Sequence, residues 1–233
     1  MSGKEISIAG KDGTFMGYLA TPTGGSGPGV VVIQEVFGVN LWLRTVADWL
    51  ARQGYMALAP DLFWRLDPGI QLDPTVEAEF NKGLELFGKF DVDKGVEDIQ
   101  ATISTLRKMP GCNGKVGNLG FCLGGLLSYL TAARTDADAS VGYYGVGIDN
   151  LLGEAEKIKS PTILHIARDD GFVPPESQAK VEAAMKDHTN VTTYAYEGAN
   201  HGFCRETDKN HYKADAAKLA HERTLELFKS ALA

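Results

Sequence analysis

Gly117-Asn-Leu-Gly-Phe-Cys-Leu-Gly-Gly125 (GNLGFCLGG) is the stretch from which the architecture follows. Before it, Lys115 to Leu119 reads as a short strand, and after it Leu126 to Arg134 continues as a helix. Between them Gly120, Gly124 and Gly125 surround Cys122. Glycines let the chain bend sharply from strand to helix, and small neighbours leave room for one central side chain to project from the turn. At that point the free N–H groups and the positive dipole end of the helix favour negative charge, which suits a sulfur nucleophile.

Working outward, the same strand-then-helix alternation recurs. Val30 to Gln34 is a continuous β-branched apolar run of the kind a strand buried on both faces needs, and Leu41 to Gln53 behind Asn40 has helical spacing. Tyr55 to Ala59, Ser140 to Tyr144, Thr162 to Ala167 and Val191 to Tyr196 read as further strands. Helical stretches at 91–108, 124–134, 175–187 and 211–231 lie between and after them. Alternation of this sort predicts an α/β fold with a mostly parallel central sheet and helices on both faces. At the N-terminus, Glu5 to Ala9 and Phe15 to Ala20 flank the turn signal Lys11-Asp-Gly13 and predict an antiparallel hairpin. Asp61 to Phe90, with two Asp-Pro pairs and an amphipathic run, is expected to form an excursion beyond the sheet. Gly24 to Gly29 is too short for a linker, so residues 1–233 are expected to form a single domain.

Composition narrows the function. A chain of 233 residues that is 44% hydrophobic and 23% charged is that of an ordinary globular protein. Its net charge of −7, without a long basic run, argues against nucleic acid as a partner. No apolar run approaches the roughly 18 residues that span a bilayer, so no membrane association is expected. Cys112, Cys122 and Cys204 form neither an even disulfide framework nor a CxxC pair, and together with the absence of an export signal they predict a cytoplasmic protein. The partner expected is a small molecule, with no metal and no cofactor, and the chain is expected to act as a monomer.

A nucleophile at such an elbow needs a base and the base an orienting acid, and these should follow in chain order after later strands. Arg168-Asp-Asp-Gly-Phe-Val-Pro174 follows the strand at Thr162 to Ala167, and Glu197-Gly-Ala-Asn-His-Gly-Phe203 follows Val191 to Tyr196. His201 is the candidate base. His165 lies inside a buried strand, while His188, His211 and His221 read as surface positions.

Four motifs now carry a resemblance: Gln34-Glu-Val-Phe-Gly-Val-Asn40, Gly120-Phe-Cys-Leu-Gly-Gly125, Asp170-Gly-Phe-Val-Pro174, and His201-Gly-Phe203 with Arg205 beyond. Over essentially the whole chain the sequence resembles the dienelactone hydrolases (carboxymethylenebutenolidases), a family with the α/β-hydrolase fold. The resemblance implies Cys122 as nucleophile, His201 as base and Asp170, rather than Asp169, as its acid. It implies that Glu35 holds the resting thiol and takes its proton when substrate binds, and that the N–H groups of Val36 and Leu123 form the oxyanion site. Arg205 would bind a substrate carboxylate, with Phe37 also lining the substrate site.

The sequence departs from the family at Phe80, where a second carboxylate-binding arginine is expected, and at Leu84, where a tyrosine is expected. Lys82 or Arg65 are candidates for the missing charge. The implied reaction is hydrolysis of an enol lactone through an acyl-enzyme, giving maleylacetate-type products in chlorocatechol degradation. A broader carboxylesterase or thioesterase, or a butenolide-binding receptor on the same fold, are the alternatives.

Overall fold

The structure, a computed structural model, describes residues 3–233. Eight strands follow the order β1-β2-β4-β3-β5-β6-β7-β8, given by Lys4–Ala9 (β1), Thr14–Ala20 (β2), Gly27–Ile33 (β3), Met56–Pro60 (β4), Cys112–Phe121 (β5), Ala139–Tyr143 (β6), Thr162–Ala167 (β7) and Val191–Tyr196 (β8). The chain divides into two compact units, Met1–Asn118 and Leu119–Ala233, with the boundary inside β5. Among the described residues, no helix is long and apolar enough to cross a membrane.

In the first unit, β1 and β2 form the expected antiparallel hairpin, in register from Lys4 opposite Leu19 to Ala9 opposite Thr14. β2 also runs antiparallel to β4, whereas β3 and β4 are parallel. Val30 to Ile33 are fully buried, which explains why that strand reads as an unbroken apolar run. Helix α1 (Leu41–Arg52) buries Trp42, Leu43, Val46, Ala47, Leu50 and Ala51, one stripe at helical spacing. Asn40 starts it: its Oδ1 accepts from Leu43 N at 3.1 Å, and its Nδ2 donates to the Leu72 carbonyl at 2.9 Å.

The excursion after β4 is a folded segment with its own helix, α2 (Glu77–Lys89). Buried Asp61 closes its first turns, accepting from Phe63 N at 3.0 Å and Gly69 N at 2.7 Å. Trp64 Nε1 donates to Asp98 Oδ2 at 2.8 Å on helix α3 (Val92–Arg107), and Arg65 pairs with the same carboxylate. Gly83 on α2 lies against the strand-end motif, since a Cβ there would come within 2.8 Å of the Val36 carbonyl oxygen.

In the second unit, β6, β7 and β8 are parallel, with Thr162 opposite both Ser140 and Val191. Helix α4 (Leu123–Arg134) is buried from Leu123 to Ala132. Helix α5 (Pro175–Met185) follows β7, and α6 (Ala214–Ala231) closes the chain. The last helix begins three residues later than its spacing suggests, because His211 and Tyr212 are drawn into a turn on Asp208: His211 Nδ1 lies 2.7 Å from Asp208 Oδ2, and Tyr212 N donates to Asp208 O at 2.9 Å. Two 3₁₀ turns, Ile148–Asn150 and Leu152–Lys157, have no periodic signal to announce them.

His221 corrects the sequence reading. Its ring centroid lies 6.0 Å from that of Tyr143, and burial pulls the imidazole down to about 4. His165 is buried as expected, its Nδ1 2.8 Å from Tyr196 Oη and its Nε2 3.1 Å from Thr224 Oγ1.

Candidate active site

At the elbow between β5 and α4, Cys122 has φ 57 and ψ −113, a conformation L-residues with a β-carbon rarely take. Its N–H donates to the Tyr143 carbonyl at 3.0 Å, and its own carbonyl accepts from Gly125 N at 2.9 Å and Leu126 N at 3.2 Å. The glycines are sterically required. A Cβ on Gly120 would sit 2.2 Å from Gly124 O, and one on Gly125 would sit 2.4 Å from Tyr143 O. Local sequence and the start of the helix therefore force Cys122 into its strained position while leaving its side chain partly open.

Asp170 and His201 arrive on two loops that bind each other. Arg168 N donates to Tyr196 O at 3.1 Å and Asp169 N to Ala199 O at 2.9 Å, extending the β7–β8 pairing past the strand ends. Asp170 Oδ1 accepts from Phe172 N at 2.8 Å and Val173 N at 3.2 Å, so the carboxylate closes its own turn. Its Oδ2 lies 2.9 Å from His201 Nδ1, the side chains being 1% and 8% exposed. Such a pair fixes the ring orientation and leaves Nε2 as the nitrogen for proton transfer. Asp169 is exposed.

Burial by itself would push the His201 imidazole down, but the charge of Cys122, the hydrogen bonds to Asp170 and Cys122, and the Asp170 charge outweigh it and raise it to about 10. Two rings press edge-on against His201: Tyr144, at 4.9 Å between centroids, and Phe172, at 4.8 Å. Sequence reasoning gave neither a role. Phe172 lay in the quoted acid motif, and its apolar side chain is 49% exposed. Tyr144 follows β6 with a left-handed φ of 39, for which the sequence holds no signal.

Arg205 lies close behind. A Cβ on Gly202 would meet its Nη2 at 2.0 Å, so the guanidinium packs over the residue next to His201. The side chain is 6% exposed and pairs through Nη1 with Asp208 Oδ2 at 3.3 Å, on the carboxylate that also holds His211.

The remaining candidates belong to the first unit. Glu35 and Phe37 are buried at 3% and 4% exposure just past β3, and Val36 is buried beside them. Gln34 braces this strand end, its Nε2 donating to Glu35 O at 3.3 Å and its Oε1 accepting from Leu62 N at 3.0 Å. The rings of Phe37 and Phe80 lie 5.9 Å apart, and Leu84 is exposed. The two proposed substitutes for the missing charge are already engaged: Arg65 by Asp98 and Asp12, and Lys82 by Asp67 at 3.8 Å and Glu85 at 3.6 Å. Arg65 faces α3 and the hairpin turn, and that accounts for its charge.

The sequence profile of the dienelactone hydrolase family matches residues 15–232. A protein of Azospirillum brasilense, provisionally named carboxymethylenebutenolidase, is 44% identical, the match covering 98% of this chain and 99% of that protein. The carboxymethylenebutenolidase of Pseudomonas putida is 40% identical over 95% of this chain and 94% of its own. Among solved structures, a protein of Klebsiella pneumoniae provisionally named dienelactone hydrolase superposes with a TM-score of 0.83 at 26% identity, covering 97% of each chain. The eight-stranded, mostly parallel sheet with its N-terminal hairpin is the α/β-hydrolase fold. The chain belongs to the dienelactone hydrolase family.

Proposed function

We propose that this chain is a carboxylic ester hydrolase that opens enol lactones of the dienelactone type through a Cys122, His201, Asp170 triad. The observation that carries the reading is the strained Cys122 at the elbow and the buried His201–Asp170 pair in the same compact unit, with Cys122 near enough to raise the His201 imidazole. Relatives named carboxymethylenebutenolidase support the substrate class.

The Cys122 thiolate attacks the lactone carbonyl, forming a C–S bond and an oxyanion to which the N–H of Leu123, the first residue of α4, is offered. When the oxyanion collapses, the ring C–O bond breaks and the enolate leaves, recovering a proton from the His201 imidazolium. The neutral imidazole then takes a proton from water, whose oxygen attacks the thioester. The C–S bond breaks, and the acid is released as the thiolate and imidazolium are restored. Asp170 holds the ring in place and stabilises its charged form throughout. The product would be a maleylacetate-type oxo acid, placing the reaction in chlorocatechol degradation.

A second reading, a broader esterase, is favoured by two features. Arg205 is already paired with Asp208, while exposed Phe172 offers an apolar surface beside His201. A hydrolysis panel of a carboxylated dienelactone, its methyl ester and a simple aryl ester separates the two. The primary reading expects the dienelactone to be preferred, with a covalent acyl adduct of Cys122 visible by mass spectrometry of quenched enzyme. Undiminished turnover by Cys122→Ala would overturn both.

A further inference from the structure

We propose that Gln178, on α5, is a positioning residue that holds the Asp170 loop in the geometry that aims His201. This rests on the triad reading above and adds to it a residue that contacts neither substrate nor His201.

Gln178 is 2% exposed and uses both ends of its amide. Nε2 donates to Arg168 O at 3.3 Å and to Val173 O at 2.8 Å, two carbonyls on either side of Asp170. Oε1 accepts from Arg168 Nη1 at 3.2 Å, which orients the amide so that its N–H groups face the loop. Arg168 is itself fixed by Glu182 on α5, at 2.9 Å and 2.7 Å. One side chain thus ties the start and the end of the acid loop to a helix.

Packing on one side of the loop is incomplete. Between the β6 and β7 strand ends and α5 lies a cavity of about 20 Å³, lined among others by Asp170, Val173, Gln178 and Tyr144. On that side the loop is packed less tightly, and beside the backbone bonds to β8 and the turn that Asp170 closes on itself, Gln178 is the side chain that ties the loop to α5. A catalytic group displaced by even 1 Å loses rate steeply, on the order of a hundredfold.

The test compares Gln178→Met, similar in size but without hydrogen bonds, and Gln178→Glu, which keeps an acceptor for Arg168 and loses both donors to the loop. Hydrolysis of a simple aryl ester is followed across pH, with Asp170→Asn measured in parallel and folding checked by circular dichroism. Cys122, Asp170 and Tyr144 are the titratable groups in contact with His201 that the profile reports. Both Gln178 variants should lose about tenfold or more in kcat at nearly unchanged KM. In Gln178→Met, which adds no charge, the limb of the profile set by His201 should move to lower pH, because a loosened Asp170 no longer supports the imidazolium. A kcat within twofold of wild type, or a loss matched by lost folded protein with a superimposable profile, overturns the role of Gln178 where Asp170→Asn is impaired. If Asp170→Asn is itself unimpaired, the triad reading has failed, and the positioning role with it.

Discussion

Cys122 carries two demands that oppose each other: a β-carbon at φ 57, and a side chain that must point out of the turn. A residue in such a sparsely populated conformation costs on the order of 1–3 kcal/mol, and glycine would avoid most of that. Cys122→Gly should therefore be inactive yet more stable than Cys122→Ala, by about 1 kcal/mol, when the two are compared by denaturant unfolding. Equal stabilities would mean that the elbow is not strained. For the acid, Asp170→Asn should cut turnover drastically because it misorients the imidazole and weakens support for its charge, whereas Asp169→Asn, at an exposed carboxylate, should do little. The reverse ranking would move the acid to Asp169. The Arg205 to Asp208 pair sets a third expectation. With its guanidinium already facing a carboxylate, the preference for a carboxylated lactone over its methyl ester should be modest. Asp208→Asn should strengthen that preference and Arg205→Ala should abolish it, since a charged hydrogen bond is worth about 1.5–3 kcal/mol. A ratio of kcat/KM values unmoved by either change would place the carboxylate site elsewhere.

Among the elements, α4 is unusual in being buried on nearly every side, so it tolerates neither displacement nor added volume. Its first turn meets β6 at Gly125, where a Cβ would lie 2.4 Å from the Tyr143 carbonyl. That carbonyl is also the acceptor for Cys122 N. Gly125→Ala should thus be destabilising by about 1–3 kcal/mol, the usual cost of overpacking, and should lower kcat as well, because the same backbone shift tilts Cys122, the proposed nucleophile. Thermal unfolding and aryl-ester kinetics on one preparation check both. A stable variant with normal turnover would show that α4 can slide away from β6 without consequence.

At the scale of the whole chain, two sets of histidines should shape stability against pH from opposite sides. His221 is held down to about 4 by burial, and His165 is held well below its ordinary value by burial with His221 and Arg223 adding to it. As pH falls below about 6.5, the unfolded chain binds protons that these folded imidazoles refuse, so stability declines toward pH 4, by about 3 kcal/mol for His221 alone. His201 works in the other direction. Its imidazole is raised to about 10, so its contribution is complete below about 6.5 and is lost as pH rises through about 10. Maximum stability should lie near neutrality. His221→Gln should flatten the acid limb of melting temperature against pH and leave the alkaline limb in place. An unchanged acid limb would assign that loss to other groups.

The elements were largely legible because they depend on neighbours along the chain. Val30 to Ile33 had to be continuously apolar to be buried on both faces, and Gly120 and Gly125 had to lack a Cβ for the elbow to close. The identity of Cys122 as a candidate nucleophile rested on that local pattern, and the order of Asp170 and His201 rested on the strands they follow. The contacts between those strands' loops were not legible. Asp170 and His201 are 31 residues apart, and Arg65 is 33 residues from the Asp98 that holds it, so no periodicity couples them. Phe172, Tyr144 and Gln178 gather around the same pair only because β6, β7 and β8 lie side by side and α5 packs back against β8. Arg205 and Asp208 are three residues apart, yet their pairing needs the left-handed turn at Gly202, which packs the guanidinium inward. Propensity acts over a few residues, whereas the environment of a buried charge is set by whichever distant segments the sheet order brings against it.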